Sequence, residues 1–406
     1  MNVQNPLALL GGISPEQFMQ KYWQKKPLII RAAVPGMQPL VGRDDLFAMA
    51  ANEAVESRLI EQKNGQWSFQ HGPFNCPREG RAIKTPPLKR PGWTLLVQGV
   101  DLHHDGVHDL LKQFRFLPDA RLDDLMISYA TAGGGVGPHF DSYDVFLLQA
   151  AGRRRWRIGA QKNLSLRDDV PLKILANFTP MQEFDLAPGD MLYLPPRYAH
   201  DGVALDNDCQ TYSIGFRAPS TEELARELMH RVADEIDDDS LYTDRTQAAT
   251  AQPGAIPAEL HSFAQQAVAK ALEDGTLMQQ ILGEYLTEPK QNVWFDAVPA
   301  ADEKPAKSSA AQKPSRTTSV TSSRSASRSA SAARGVRLDR RSRMMYDAKH
   351  VYLNGDSWKV AGKDAKLLRK LADDRSLPAT DVVAASAALQ GALAQFIEQG
   401  WLHHDG

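Results

Sequence analysis

Between Trp93 and Phe216 the chain is written in short apolar runs: Trp93–Val97, Asp124–Ala130, Val145–Ala150, Arg155–Ile158, Met191–Leu194 and Gln210–Phe216. Glycine and proline separate them, as in Gly133-Gly134-Gly135 and Pro188-Gly189. Runs this short, punctuated by turn formers, are strands, and many short strands in succession predict a jelly-roll barrel. The fold class expected is therefore mainly β with α, built around a double-stranded β-helix.

Two histidines and a carboxylate fall inside that stretch in a telling arrangement. His139-Phe140-Asp141 places its two polar residues two apart, so on an extended strand both side chains leave the same face. His200 stands about sixty residues later, after Pro188-Gly189-Asp190 (a turn), Met191 to Leu194 (a short apolar strand) and Pro195-Pro196 (a strand breaker). Two imidazoles and one carboxylate cap one face of an octahedral Fe(II) and leave positions open for a co-substrate and dioxygen. A lone His-x-Asp is weak; joined to a turn–strand–His element it signals a double-stranded β-helix oxygenase. Gly133 to Gly137 is no phosphate loop, since it lacks the Gly-Lys-Ser/Thr ending and runs into a metal ligand; its glycines are expected to turn the backbone beside the iron site.

The sequence between the ligands supplies a second part. In Gly152-Arg153-Arg154-Arg155-Trp156-Arg157 an inward-facing arginine can hold a dicarboxylate whose other end chelates the metal. Alternation along a strand sends some of these arginines to solvent, and Arg153 and Arg155 fit that role.

The runs Met126 to Phe146, Gly152 to Arg157, Pro188 to Pro196 and Tyr212 to Pro219 resemble the bacterial JmjC-type ribosomal oxygenases of the cupin class. The resemblance covers the chain from its start to about residue 290 and again from about 337 to its end. It implies an Fe(II)- and 2-oxoglutarate-dependent dioxygenase, using O2, that hydroxylates an arginine β-carbon of large-subunit ribosomal protein L16. Matched position by position, it puts the catalytic metal ligands on His139, Asp141 and His200. It puts the 2-oxoglutarate contacts on Ser128 and Arg154, the middle arginine of three.

Four segments are expected. Residues 1–218 form the JmjC/cupin domain, opened by a helix with Ser14 at the N-cap, Pro15 at N1 and Gln17 at N3, and by a strand at Leu28-Ile29-Ile30. Residues 219–300 form a helical segment: a capping box from Thr221, Leu224, Leu228 and Val232 at helical spacing, then helices across 257–272 and 276–287. In the resembled family such a segment builds a homodimer. Residues 301–336 are a Ser/Ala/Arg-rich linker without the apolar content to fold. Residues 337–406 resemble a winged-helix module, with strands at 351–353 and 357–360 and helices at 365–372 and 382–399. The alternating charges of its helices favour protein contact over sequence-specific nucleic-acid reading.

Composition excludes several classes. Cys76 and Cys209 are the only cysteines, too few for a disulfide framework. No apolar run approaches the roughly 20 residues of a membrane span, and no secretory signal opens the chain, so a cytoplasmic address is expected. The net charge is −2, yet Lys304 through Arg337 carries eight basic and no acidic residues, leaving −10 (−2 minus 8) on the remainder. An acidic body suits a basic protein partner. His103, His104 and His108 read as solvated loop histidines, and His403-His404 as an exposed tail.

Even spacing on one strand faces Asp124, Met126 and Ser128 to the barrel interior, with Tyr143, two beyond Asp141, on the metal side. A carboxylate, a thioether and a phenol suit a long cationic side chain, Asp124 pairing its guanidinium and Met126 and Tyr143 packing its stem. Asp124 capping the strand start at the surface is the alternative. Two other functions compete with arginine hydroxylation: histidine hydroxylation of another ribosomal protein, and a non-catalytic cupin that binds a regulatory partner. Loss of a ligand would be the mark of the last, and none is lost.

Overall fold

The computed structural model describes residues 2–63, 65–76, 83–245, 247–297 and 334–405. It divides into two compact units, Met1–Arg226 and Glu227–Gly406. The expected linker at 301–336 lies outside the described residues up to 333.

The first unit carries helices α1 (Pro15–Lys21), α2 (Arg43–Ala50) and α3 (Asp105–Lys112). Its strands are β1 (Leu28–Ile30), β2 (Ser57–Lys63), β3 (Gln66–His71), β4 (Trp93–Val97), β5 (Leu122–Ala130), β6 (Val145–Ala151), β7 (Arg154–Gly159), β8 (Gln182–Leu186), β9 (Met191–Leu194), β10 (Ala199–Ala204) and β11 (Cys209–Phe216). One eight-stranded sheet runs β1-β9-β6-β11-β5-β4-β2-β3, and a three-stranded sheet runs β10-β7-β8. All pairings are antiparallel. Strands β2, β3 and β8 were not legible as apolar runs: they are polar and half exposed, as in Gln66-Trp67-Ser68-Phe69-Gln70-His71.

The centre of the large sheet is buried on both faces, which is why β6 and β11 are almost wholly inaccessible. One parity of each strand feeds an aromatic core: Ile127 and Tyr129 of β5, Phe146 and Leu148 of β6, Tyr212 and Phe216 of β11, with Phe18 of α1 and Phe114. Phe146 lies 4.9 Å from Tyr193 and 5.0 Å from Phe114, ring centre to ring centre. The other parity, Val145 and Leu147 of β6, packs on Trp156 and Ile158 of β7 in the small sheet. The two sheets thus form a jelly roll whose interior divides into an apolar end and a polar cavity. The α1 capping box is present: Ser14 Oγ accepts from the Gln17 N–H and the Gln17 side chain accepts from the Ser14 N–H.

Histidines 103, 104 and 108 are not a solvated loop. His104 is the N-cap of α3, its Nδ1 accepting from the Val107 N–H at 3.3 Å, and half-buried His108 lies within the helix. An imidazole can cap as a carboxylate does, a signal the residue type alone does not announce.

The second unit begins within α4 (Thr221–Asp234) and continues with α5 (Ala258–Glu273) and α6 (Gly275–Thr287). The cap of α4 is Ser220, not Thr221: its Oγ accepts from the Glu223 N–H at 3.0 Å, so the capping spacing starts one residue earlier. Then come β12 (Val336–Leu338), β13 (Met344–Tyr346), β14 (His350–Leu353), β15 (Asp356–Lys359), α7 (Gly362–Asp374), β16 (Ser376–Leu377), α8 (Ala379–Ala384), α9 (Ala387–Glu398) and β17 (Leu402–His404). The single helix expected over 382–399 is two, because Ala385 and Ser386 are extended and Ser386 caps α9 through the Leu389 N–H. The His403-His404 tail is a strand paired to β12, with His403 Nε2 2.7 Å from Asp339 Oδ2. Gly283 in α6 packs on Tyr352 of β14, where any Cβ would come within 2.2 Å of the ring.

Candidate metal centre

The loop after β5 brings His139 back alongside β10. His139 and His200 form a two-residue antiparallel bridge, each N–H donating to the other's carbonyl at 2.9 and 2.8 Å. The Arg197 N–H donates to the Asp141 carbonyl at 2.7 Å, so both ligand segments are laced together. The expected regular strand over 139–141 is reduced to that bridge: Asp141 lies in irregular backbone, and the Arg197 contact holds it instead. One ligand atom from each of His139, Asp141 and His200 lies within 4.8 Å of the others, and no other such group of His, Cys, Asp and Glu occurs among the described residues. His200 Nε2 is 3.6 Å from Asp141 Oδ2.

The tautomers follow from the carbonyls. His139 Nδ1 is 2.8 Å from the Gly137 oxygen and His200 Nδ1 is 2.9 Å from the Tyr198 oxygen. A carbonyl only accepts, so each Nδ1 carries the proton and each Nε2 presents a lone pair. Burial, with His139 adding to it, lowers the His200 pKa to about 4 against the opposing pull of Asp141. A neutral imidazole is the form a metal requires.

These groups open on a cavity of about 560 Å³ between the two sheets. From the large sheet, Asp124, Met126 and Ser128 of β5 line it, as do Thr211 and Ser213 of β11; from the small sheet come Arg154, Trp156 and His200. Tyr143 stands on the same wall. The expected metal ligands, co-substrate contacts and substrate contacts therefore all line one cavity. Asp124 lines the cavity, and its Oδ2 accepts from the Gly99 N–H at 2.9 Å. Burial first, then the Asp141, Asp124 and Asp123 carboxylates, pushes the Tyr143 hydroxyl above its ordinary range, with Arg58 opposing.

Arg154 is 4% exposed; its Nη1 donates to the Gly202 carbonyl at 3.3 Å, and its Nε and Nη2 have no partner. A buried cation with two idle donors is costly unless an anion meets it. Beside it, Ser128 Oγ is 3.3 Å from the Thr211 carbonyl, and Thr211 Oγ1 is 2.9 Å from Gln149 Oε1. The donor set fits a facially bound transition metal with a dicarboxylate alongside. Arg153 and Arg155 point outward, paired with Asp206 and Asp185. Trp156 was missed although it shares the Arg154 parity; it is buried 5.9 Å from the His200 ring, and its Nε1 has no partner. Gly202 faces it across the ladder, where a Cβ would sit 2.6 Å from the indole.

The sequence matches two family models: JmjC domain over residues 109–224 and ROXA-like winged helix over 270–403. The second match takes in α6, in keeping with the Gly283–Tyr352 packing. The chain is 34% identical over 280 residues to the ribosomal protein uL16 3-hydroxylase of Escherichia coli, spanning 68% of this chain and 72% of that one. It is 38% identical over 217 residues to a probable ribosomal oxygenase of Haemophilus influenzae, 52% of each. The E. coli ribosomal oxygenase YcfD superposes with a TM-score of 0.77 at 27% identity, over 96% of this chain and 98% of the other. A structure of YcfD in complex with cobalt and 2-oxoglutarate superposes with a TM-score of 0.73, at the same identity and coverage.

Proposed function

We propose, from the premise that this chain belongs to the JmjC ribosomal oxygenases, Fe(II)- and 2-oxoglutarate-dependent enzymes, that it hydroxylates an arginine β-carbon of ribosomal protein uL16. The observation that carries the residue choice is the cavity wall: a carboxylate, a thioether and a phenol (Asp124, Met126, Tyr143) stand together beside the metal-ligand group. A guanidinium finds a carboxylate there, and an aliphatic stem finds two surfaces to pack on.

His139, Asp141 and His200 would hold the iron, and Arg154 with Ser128 would hold the co-substrate's distal carboxylate. Bound together, Fe(II) and 2-oxoglutarate supply the oxidising power to insert one oxygen atom of O2 into a C–H bond, 2-oxoglutarate leaving as succinate and CO2. The protein's part is placement. The Gly137 and Tyr198 carbonyls keep both imidazoles in the ligating tautomer. The apolar end, Val145 and Leu147 against Trp156, keeps water from one side of the cavity. Asp124, held at its base by the Gly99 N–H, presents a fixed acceptor to the substrate.

The same proposal covers the chain's organisation: an oxygenase domain at 1–218, a helical dimerisation segment at 219–300, a linker at 301–336 and a winged-helix-like domain at 337–406. In support of dimerisation, α5 buries no residue and leaves Leu260, Val268 and Leu272 exposed. No helix among the described residues is long and apolar enough to cross a membrane. The deciding experiment is mass spectrometry of uL16 incubated with enzyme, Fe(II) and 2-oxoglutarate. A gain of one oxygen on an arginine is expected; oxygen on a histidine, or none, refutes the reading.

A further inference from the structure

The eight-stranded sheet has two ends of different character. β1 is three residues long and followed by Arg31, a short, charged edge of the kind that discourages further pairing. β3, at the other end, is six residues long, contains no Lys, Glu, Asp or Pro, and pairs only with β2 among the described residues. Two hydrogen bonds fix which of its amides face away from β2. The Gln62 N–H donates to Gly92 at 3.0 Å, away from β3, and the Gly72 N–H donates to Ser57 at 2.8 Å. Odd residues of β2 therefore bond β3, and their partners are Gln66, Ser68 and Gln70. The N–H and C=O groups of Trp67, Phe69 and His71 point to the open edge.

That edge runs beside the metal centre. Phe69 lines the cavity with Ile60 and Arg58 of β2, and the Trp67 indole lies where a Cβ on Gly137 would be 3.0 Å from it, two residues before His139. We propose that the β3 edge is the docking strip for the substrate protein, on which an extended segment flanking the target residue adds as a further strand. This rests on the substrate reading above. Backbone pairing supplies sequence-independent affinity and register, while the cavity selects the side chain. The occupant is the substrate because the edge strand itself lines the cavity through Phe69, so a strand laid on β3 passes the mouth through which the target side chain must enter.

The test is residue-resolved amide exchange on the full chain loaded with Zn(II) and 2-oxoglutarate, with and without a uL16 fragment. Trp67, Phe69 and His71 should slow by about tenfold or more on binding, while Gln66, Ser68 and Gln70, already bonded, should not change. A bound fragment that leaves the three odd amides unchanged, or slows all six alike, overturns the proposal. Odd-residue protection that appears on concentrating the protein alone assigns the edge to a second copy and overturns it too. His71→Pro, which deletes one edge donor without touching the β2 ladder, should weaken fragment binding several-fold at unchanged 2-oxoglutarate affinity; unchanged fragment affinity in the folded variant counts against docking. Hydroxylation of the fragment without the exchange signature sinks the strip alone, whereas no binding and no hydroxylation sinks the substrate reading with it.

Discussion

Arg154→Ala separates co-substrate binding from stability, because the structure predicts opposite signs for the two. The guanidinium is 4% exposed and makes one bond of 3.3 Å, with Nε and Nη2 idle. Truncating a charge-assisted partner of a carboxylate in such a site costs about 2–5 kcal/mol. At 1.4 kcal/mol per tenfold, the 2-oxoglutarate Kd should rise roughly thirtyfold to several-thousandfold. Without co-substrate, the same truncation removes a buried cation that lacks a counter-charge, so the thermal midpoint of the unliganded variant should hold or rise. Arg153 and Arg155 sit in exposed pairs with Asp206 and Asp185, at 3.1 and 2.8 Å. Such pairs contribute about 0–1 kcal/mol, so alanine there should leave the Kd within about fivefold. Calorimetric titration of 2-oxoglutarate into the Zn(II)-substituted proteins, with melting curves beside it, reads both quantities. Arg155→Ala proving more damaging to affinity than Arg154→Ala, in folded protein, would refute the assigned register of β7.

His139→Ala and His200→Ala should each abolish 2-oxoglutarate decarboxylation with the fold retained, checked by turnover and circular dichroism, because each removes one of three ligands. Asp124→Asn should depress uL16 hydroxylation far more than substrate-uncoupled 2-oxoglutarate turnover; equal effects on both, or none, would remove its recognition role. Deleting 303–334 should leave hydroxylation of a free uL16 fragment nearly unchanged, since a stretch this poor in large apolar residues lacks the side chains to shape a cavity. Burial alone would raise the Asp339 pKa, but Arg341 and His403 hold it down to about 2. A carboxylate depressed on folding adds stability above its unfolded value near 4 that is lost as pH falls toward 2. The second unit of wild type should therefore lose melting temperature across that window, and Asp339→Asn should lose less.

What the sequence exposes depends on how many neighbours a residue needs to declare its role. The inward arginine and the cavity face of β5 were legible because strand alternation is local: Asp124, Met126 and Ser128 share a parity that one stretch of chain displays, and all three line the cavity. Trp156 obeys the same rule with Arg154 and was readable in principle. The β2–β3 hairpin was not, because its residues are mostly polar and its turn end and β3 are largely exposed. Its place at the cavity follows from pairing with β4 across residues 57–97, a long-range register that composition does not encode. Asp141 illustrates the limit most sharply. Spacing placed it beside His139 on a strand, but the backbone there is irregular, and its carbonyl is held by the Arg197 N–H. Arg197 reaches it from a positive φ of 63°, a backbone state that few residues other than glycine adopt. The geometry of the third ligand is therefore set by a turn fifty-six residues away (197 minus 141), at a residue whose type announces nothing of the kind.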